Sequence, residues 1–281
     1  MSVKKPELPF SSKYIEVADG RMHYFDEGTG PVLLFVYGIP EWSMTYAKMI
    51  GELSSSCRCI VPDHLGFGLS GKRMDIDLKP AAHSARLLQF IERLGLSNIH
   101  LVVHDFGGPI GIGALAQKPE LFSSLTISNT WLWNLAGTKA GAGLKMMQGF
   151  FGKWLYLSYG FSVKYMAKNA FADKAQFDQW KDVFMYPHQT KLDRYANYQL
   201  MLEMLNSGKW YDGTLAAFKK LDIPAQFAWG MKDKFFPHEE YLERWKKELP
   251  GKKITAFETS GHFPQLEVPK EFAAAIKSFI G

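Results

Sequence analysis

Three polar residues, Asp105, Asp233 and His262, each follow an apolar segment that has the pattern of a β-strand. An aspartate is ionised at neutral pH, so it can attack an electrophilic sp3 carbon without a base that first removes a proton. The attack produces an alkyl ester, and a histidine that is oriented by a second carboxylate can activate water against this ester. The residue types and their order therefore predict a hydrolase with Asp105 as nucleophile, Asp233 as acid and His262 as base.

The turn that contains Asp105 lies in the segment "HLVVHDFGGPIGIGALA" (100–116), where a buried strand passes directly into a helix of small residues. By itself, an aspartate before a helix indicates a helix N-cap. The other two polar residues at strand ends favour a nucleophile at a sharp strand–helix turn instead. Gly107 and Gly108 leave the space that such tight packing requires.

A second strand must end beside this turn to complete the site. The continuous apolar run "PVLLFVYG" (31–38) is typical of a strand that is buried on both faces, and Ile39 and Pro40 follow it. In open parallel sheets, ligands bind beyond the carboxyl ends of the strands. The backbone N–H groups of Ile39 and Phe106 are therefore predicted to stabilise the oxyanion that forms during ester hydrolysis.

Strand and helix patterns alternate over residues 1–130 and again over residues 215–281. This alternation predicts an α/β fold with a mostly parallel central sheet and helices on both faces. Residues 131–214 are rich in Trp, Tyr, Phe, Met and Lys, and they show helical patterns only. The simplest arrangement is one α/β core, residues 1–130 and 215–281, with a helical cap, residues 131–214, inserted into it.

The composition excludes several classes of protein. Hydrophobic residues make up 47% and charged residues 22% of the 281 residues, which is typical of a globular protein. The 33 Lys and Arg residues only slightly exceed the 28 Asp and Glu residues, and they are scattered, so no nucleic-acid partner is expected. No apolar run approaches the roughly 18 residues that a membrane helix needs, and no secretory signal is visible at the N-terminus. These features predict a cytoplasmic protein with a small-molecule substrate and no membrane partner, and they leave its oligomeric state open.

The two cysteines, Cys57 and Cys59, are separated by one residue of a predicted strand, and two thiols at this spacing cannot easily form a disulfide. Two free thiols fit a reducing compartment. No Cys/His cluster has metal-ligand spacing, and "GFGLSGK" (66–72) lacks the spacing of a phosphate-binding loop. We therefore predict neither a metal nor another cofactor.

Six segments resemble those of a known family: "YGIPEWS" (37–43), "PDHLGFGLSGK" (62–72), "VVHDFGGPIG" (102–111), "NTWLW" (129–133), "WGMKDKFF" (229–236) and "SGHFPQLEVP" (260–269). Through these segments the sequence resembles the haloalkane dehalogenases and the related epoxide hydrolases. The resemblance implies the α/β-hydrolase fold, in which the catalytic residues follow one another as nucleophile, acid and base. One subfamily carries its acid at the position of Asn129, so Asp233 is the residue that we choose as the acid.

The resemblance breaks down at the halide site. Dehalogenases hold the departing halide with the indole N–H of a Trp directly after the nucleophile, and with an Asn or Glu of the loop or a Trp of the cap. This sequence has Phe106 and Ile39 at the first two positions, and neither side chain offers a donor. The histidine of the loop is replaced by a tyrosine. The residues that we predict to line the substrate pocket are Tyr37, Trp42, Trp131 and Trp154.

Three functions stay open at this level. The first is carbon–halogen cleavage of the dehalogenase type. The second is ring opening, because epoxide hydrolases have a hydrophobic residue at the position of Ile39 and use cap tyrosines to protonate the ring oxygen. The predicted cap contains seven tyrosines: Tyr156, Tyr159, Tyr165, Tyr186, Tyr195, Tyr198 and Tyr211. The third is a binding protein without activity, because Tyr37, Ile39 and Phe106 all depart from the dehalogenase pattern.

Overall fold

The computed structural model describes residues 3–281. Eight strands of this part form one sheet: β1 Lys13–Val17, β2 Gly20–Glu27, β3 Val32–Val36, β4 Arg58–Pro62, β5 Ile99–His104, β6 Phe122–Ser128, β7 Ala225–Gly230 and β8 Lys253–Phe257. Their order across the sheet is β1-β2-β4-β3-β5-β6-β7-β8. The pairs β1–β2 and β2–β4 are antiparallel, and all pairs from β4 to β8 are parallel. The prediction of an α/β fold with a mostly parallel sheet is confirmed.

The helices connect these strands and cover both faces of the sheet. They are α1 Ala47–Leu53, α2 Pro80–Arg93, α3 Gly107–Gln117, α4 Lys139–Met146, α5 Phe150–Trp154, α6 Ala167–Ala170, α7 Phe177–Met185, α8 Tyr195–Asn206, α9 Gly208–Phe218, α10 Tyr241–Glu248, α11 Pro264–Glu267 and α12 Pro269–Ile280. Residues 129–224, which we call the helical segment, connect β6 to β7 and contain no strand, in the described part of the chain. Its helix α9 continues to Phe218, beyond the predicted cap boundary at residue 214.

The central strand β5 is buried along its whole length. Successive side chains of a strand point to opposite faces. Leu101 and Val103 therefore pack on the face that carries α2 and α3, and Val102 packs on the face that carries α1 and α12. Helices on both faces explain why the segment is apolar without alternation. The carboxyl ends of β3, β5, β6, β7 and β8 lie along one edge of the sheet, which is where the predicted site residues follow.

Two local features accompany this sheet. Ala18 and Asp19 connect β1 and β2 in an antiparallel hairpin, and Asp19 adopts a positive φ of 72°, which a short polar side chain tolerates. Cys57 and Cys59 are both buried as free thiols.

Candidate active site

Asp105 lies in the turn between β5 and α3. Its φ is 51°, in the left-handed region that residues other than glycine rarely adopt. Two hydrogen bonds hold this conformation: the Asp105 N–H donates to the Asn129 carbonyl (3.2 Å), and Thr130 Oγ1 donates to the Asp105 carbonyl (2.5 Å). Residues in such conformations persist where the surrounding contacts determine them, and they concentrate at active sites. The turn therefore holds the Asp105 carboxylate at the carboxyl edge of the sheet.

Two glycines after the turn allow α3 to begin close to its neighbours. A Cβ atom at Gly107 would collide with the Val36 carbonyl, and a Cβ atom at Gly108 would collide with the Thr130 side chain. The close packing that the sequence predicts at these two positions is therefore present in the structure.

The loop after β3 contacts the Asp105 carboxylate directly. A Cβ atom at Gly38 would collide with this carboxylate and with the Phe106 backbone nitrogen, so only glycine permits the approach. The Ile39 N–H donates to Asp105 Oδ1 over 2.8 Å. The Phe106 nitrogen lies at the same point of contact. The two backbone groups that were predicted as oxyanion donors are thus placed beside the carboxylate.

His262 lies between the two aspartates. Its Nδ1 is 2.8 Å from Asp233 Oδ2, and its Nε2 is 3.6 Å from Asp105 Oδ2. Asp233 is held by the backbone, because the N–H groups of Phe235 and Phe236 both donate to its Oδ1, over 2.7 and 3.1 Å. The three side chains predicted from the sequence, which follow β5, β7 and β8, meet at one place.

Asn129, at the end of β6, takes part in the same arrangement. Its Nδ2 donates to Asp233 Oδ2 (2.8 Å), and its Oδ1 accepts the Gly230 N–H (2.9 Å). The position that carries a carboxylate in one subfamily therefore holds an amide that orients Asp233. This geometry supports Asp233, rather than residue 129, as the partner of His262.

The charges of the two aspartates control the protonation of His262. Burial lowers the pKa of a histidine, but the charge and hydrogen bond of Asp233, together with the nearby Asp105 carboxylate, raise the pKa of His262 to about 10. Burial of Asp233 raises its pKa, but the charge and hydrogen bond of His262, with the hydrogen bonds from Asn129 and Phe236, lower it overall. The unmodified site therefore holds an imidazolium between two carboxylates.

A buried polar cluster behind Asp105 was not recognised as part of the site from the sequence. His104 Nε2 donates to the His262 carbonyl (2.6 Å), and His104 Nδ1 forms a hydrogen bond with Glu41 Oε2 (2.6 Å). Gln265 Nε2 and Thr45 Oγ1 both donate to Glu41 Oε1, over 2.5 and 3.1 Å. The cluster connects the β3 loop, β5 and the segment that carries His262. The acidic residue of "YGIPEWS" and the histidine of "VVHDFGG" were the available signals, but their pairing across 63 residues was not visible.

Asp105 and His262 open into a cavity of about 370 Å³. The rest of its wall is mostly apolar, and includes Ile39, Met147, Phe161, Met166, Met201 and Phe235. Apolar cavities with a few polar groups at one end are typical of small-molecule sites. The shape and chemistry suit a small apolar substrate whose reacting carbon lies against Asp105.

Two tyrosines line this cavity, Tyr156 and Tyr241, and the first is the only one of the seven predicted cap tyrosines to do so. The Tyr156 hydroxyl donates to Met166 Sδ over 3.3 Å, and a thioether is a weak acceptor. Burial and the charge of Asp105 raise the pKa of Tyr156 above its usual value, so its hydroxyl keeps its proton. The Tyr241 hydroxyl has no hydrogen-bond partner among residues 3–281.

The structure corrects the prediction of the pocket residues, because none of the four lines the cavity: Tyr37, Trp42, Trp131 and Trp154. The Tyr37 hydroxyl donates to Asp63 Oδ1 (2.7 Å) inside the core. The Trp42 indole N–H donates to the Val183 carbonyl (2.8 Å), so Trp42 joins the β3 loop to α7. Both side chains are fully buried and serve the packing around the site.

The two predicted tryptophans of the helical segment lie in opposite environments. Trp131 is fully buried and packs edge-on against Phe106, with their ring centroids 4.8 Å apart. This contact also draws the Phe106 side chain away from the cavity wall. Trp154 is 48% exposed and stacks on Phe151 at the surface. Neither indole N–H therefore replaces the missing halide donors at the cavity wall.

Comparison with protein families agrees with this architecture. Residues 31–269 match the family described as the alpha/beta hydrolase fold. The chain belongs to this family. The match includes the β3 loop, the turn at Asp105 and His262, and it extends across the whole helical segment.

Two curated relatives of this α/β-hydrolase cover nearly the whole chain. Haloalkane dehalogenase 2 of Mycobacterium tuberculosis is 27% identical over 279 residues, which are 96% of each chain. The cis-3-alkyl-4-alkyloxetan-2-one decarboxylase of Shewanella oneidensis is 31% identical over 301 aligned positions, which cover 97% of this chain and 89% of the relative.

Solved structures show the same fold. Haloalkane dehalogenase DatA from Agrobacterium tumefaciens has a TM-score of 0.85, at 16% identity and 96% coverage of both chains. Haloalkane dehalogenase DbeA from Bradyrhizobium elkani has a TM-score of 0.84, at 19% identity, and covers 96% of this chain and 98% of that one. The protein is an α/β-hydrolase by family, and it is similar to haloalkane dehalogenases in sequence and in fold.

Proposed function

We propose that this α/β-hydrolase cleaves a bond between an sp3 carbon and a leaving group, with Asp105 as the nucleophile and an alkyl-enzyme ester as the intermediate. The observation that carries the proposal is a carboxylate, instead of a hydroxyl, on the strained turn beside His262. One oxygen of this carboxylate accepts the Ile39 N–H, and the other lies 3.6 Å from His262 Nε2. The nucleophile is already ionised, so the first step needs no proton transfer.

The two oxygens of Asp105 have different tasks in this reaction. Oδ2 attacks the carbon, because Oδ1 is held by the Ile39 N–H. Oδ1 then becomes the carbonyl oxygen of the ester. When water adds to the ester carbonyl, the negative charge develops on Oδ1, where the Ile39 and Phe106 N–H groups stabilise it.

His262 acts in the second step. The charge of Asp105 helps to raise the pKa of His262, and ester formation removes that charge. The pKa of His262 then falls, so the imidazolium can release its proton to solvent in the cavity, and the neutral imidazole can accept a proton from the water that attacks the ester. Asp233 holds Nδ1 throughout, which directs Nε2 at the ester.

The wall opposite the catalytic residues belongs to the helical segment. Met147, Tyr156, Phe161 and Met201 line the cavity from helices between β6 and β7. We therefore propose the division expected from the sequence, with residues 131–214 as a cap over a core of residues 1–130 and 215–281. In this division the core carries the nucleophile, the acid and the base, and the cap forms the wall that contacts the substrate.

Carbon–halogen cleavage is the first candidate reaction. The relatives named as haloalkane dehalogenases support it by sequence and by fold. The apolar cavity also suits a haloalkane. The halide would leave without the two side-chain donors that the resemblance implies, because Ile39 and Phe106 offer none.

Ring opening of a strained cyclic substrate is the second candidate, and Tyr156 is the observation that favours it. This hydroxyl is buried in the cavity wall, keeps its proton and has only a thioether as acceptor. It can donate to a ring oxygen as the carbon–oxygen bond breaks. The Shewanella relative is named for an oxetan-2-one, which is a strained four-membered ring.

Trapping the intermediate tests both candidates in one experiment. In His262→Gln the ester should form and persist, so the intact protein should gain mass after incubation with bromoalkanes, epoxides or cis-3,4-dialkyloxetan-2-ones. A haloalkane adduct adds the mass of the substrate minus the mass of the hydrogen halide. A ring-opened adduct of an epoxide or an oxetanone adds the mass of the whole substrate.

The control is His262→Gln combined with Asp105→Asn, which should gain no mass. Turnover of the wild-type enzyme in H2(18)O should also place one 18O atom in Asp105, because water attacks the ester carbonyl. The proposal fails if no class of substrate leaves an adduct and no label enters Asp105 while the fold is intact. That result would favour the binding protein without activity.

A further inference from the structure

The helical segment exposes an unusual number of large apolar side chains. Six of the ten that are exposed in residues 3–281 lie within twenty consecutive positions, and we call them the aromatic patch: Met146, Phe150, Phe151, Trp154, Tyr159 and Tyr165. Phe150 is 90% exposed and Met146 is 81% exposed. Single exposed apolar residues are common, but a concentration of them marks an interaction surface.

The charge of this region has one sign. Five lysines lie among the patch residues or beside them, and all five are exposed: Lys139, Lys145, Lys153, Lys164 and Lys168. No acidic residue occurs between Glu120 and Asp173. Lys164 Nζ lies 4.9 Å from the centre of the Tyr159 ring. The region therefore combines aromatic rings with uncompensated positive charge.

This combination matches a lipid surface better than a second copy of the chain. Aromatic rings settle at the level of the lipid headgroups, and lysines are attracted to anionic lipids. A symmetric dimer through the patch would instead bring ten lysines together, with no acidic residue of this region to neutralise them. No helix in residues 3–281 is long and apolar enough to cross a bilayer, so the contact would be peripheral. The expectation of no membrane partner rested on the absence of a spanning segment.

The patch lies next to the mouth of the cavity. Three cavity-lining residues, Lys139, Gly143 and Lys234, are exposed and define this mouth. Helix α4 contributes to both surfaces, because Leu144 lines the cavity and Met146 belongs to the patch. The π-helical turns Leu155–Tyr159 and Ser162–Met166 do the same, with Tyr156 and Met166 on the cavity and Tyr159 and Tyr165 on the patch.

We propose that residues 139–168 dock the enzyme on an anionic lipid surface, with the mouth of the cavity next to that surface. The docking itself does not depend on the reaction. Its consequence for the substrate rests on the proposed function: the substrate is an apolar molecule that partitions into lipid and enters the cavity from there.

Vesicle sedimentation tests the docking. The wild-type enzyme should sediment with phosphatidylcholine vesicles that contain phosphatidylglycerol. A smaller fraction should sediment with vesicles of phosphatidylcholine alone, and high salt should weaken binding to the anionic vesicles. Each lysine near an anionic surface contributes about fivefold to binding, so Lys145→Glu with Lys153→Glu should weaken it by ~25-fold or more. The matched control, Lys220→Glu with Lys270→Glu, makes the same charge change elsewhere and should weaken it much less.

A second pair of variants tests the aromatic rings. Phe150→Ser with Phe151→Ser should reduce binding to the anionic vesicles about tenfold or more, because both exposed rings are lost from the contact. Met74→Ser removes an exposed apolar side chain outside the patch and should leave binding unchanged.

Three results would overturn the docking proposal. These are no sedimentation with any vesicle, equal effects of patch and control variants, or a wild-type dimer that the phenylalanine variants convert to monomers without vesicle binding. None of the substituted residues lines the cavity, so turnover of a short, water-soluble substrate without vesicles should be unchanged. If His262→Gln forms no adduct on Asp105 while the wild-type enzyme binds vesicles, only the proposed function is overturned.

Discussion

The two walls of the cavity differ in how their polar groups are held. On the sheet side, Asp105, Asp233 and His262 are bound by backbone N–H groups and by one another. On the helical side, the Tyr156 hydroxyl meets only a thioether, and the Ser162 hydroxyl has no partner among the described residues. The sheet side therefore holds its reacting groups in one geometry, whereas the helical side keeps donors that a substrate can engage. In the proposed reaction, the sheet side supplies the nucleophile and the base, and the helical side contacts the leaving group.

The largest expected effect comes from removing the charge of the nucleophile. Asp105→Asn keeps the size of the side chain and the acceptor for the Ile39 N–H, but an amide does not attack an sp3 carbon. We expect kcat to fall by about 10⁴-fold or more, since removal of a nucleophile has effects of this size. Steady-state kinetics measures the loss, and circular dichroism checks the fold. A variant that retains a tenth of the activity would show that Asp105, on the sheet side of the cavity, is not the nucleophile.

The next expected effect concerns the buried polar cluster of Glu41, His104 and Gln265 behind Asp105. Glu41→Ala leaves His104 and Gln265 buried without their partner, and each buried polar group that loses its hydrogen bond costs about 1–3 kcal/mol of unfolding free energy. Glu41→Gln keeps the size and one acceptor, so it should cost less. Urea unfolding measures both variants. An alanine variant as stable as the wild type would show that the cluster does not hold the His262 segment in place.

The helical wall is tested by Tyr156→Phe. The substitution removes only the hydroxyl, and its thioether contact is weak, so the fold should be unchanged. For a ring-opening substrate we expect kcat to fall about 10²-fold, because a positioned proton donor contributes at least this much. For a bromoalkane the change should be within a few-fold. Tyr159→Phe, which alters an exposed ring outside the cavity, is the matched control. Equal losses with both substrate classes would remove the distinction between the candidates.

The last expected effect is a pH dependence of stability. The pKa of His262 is raised from 6.5 to about 10, so its protonated form stabilises the folded protein. This contribution is complete below pH 6.5, and it is lost as the pH rises through about 10. The unfolding free energy should therefore fall over this interval. His262→Gln should lose that part of the slope, and identical slopes for both proteins would contradict a histidine held between two charged aspartates.

Features of the sheet side were accessible from the sequence because local signals set them. Apolar runs define where β5, β7 and β8 end, and residues just beyond parallel strands must meet at one edge. Asp105, Asp233 and His262 follow these three ends, and the prediction placed them together, as the structure does. Their catalytic roles stay a prediction.

The helical side was not accessible in the same way. Its aromatic residues look alike in a linear pattern, and which of them reaches the cavity depends on how each short helix is rotated against its neighbours. Tyr156 lines the cavity, whereas Trp154, two residues earlier, is at the surface. The Trp42 N–H is satisfied by the Val183 carbonyl, 141 residues away, which no local signal could indicate.

The sequence by itself determined the fold class and the order of the three candidate catalytic residues, because strand periodicity and turn glycines act over a few residues. Only the tertiary structure decided which groups surround them. Asn129 and the pair of Glu41 and His104 reach the site through contacts between distant segments. The cavity wall, and the separation of its residues from the aromatic patch, likewise come from the packing of helices, which depends on side chains far apart in the chain.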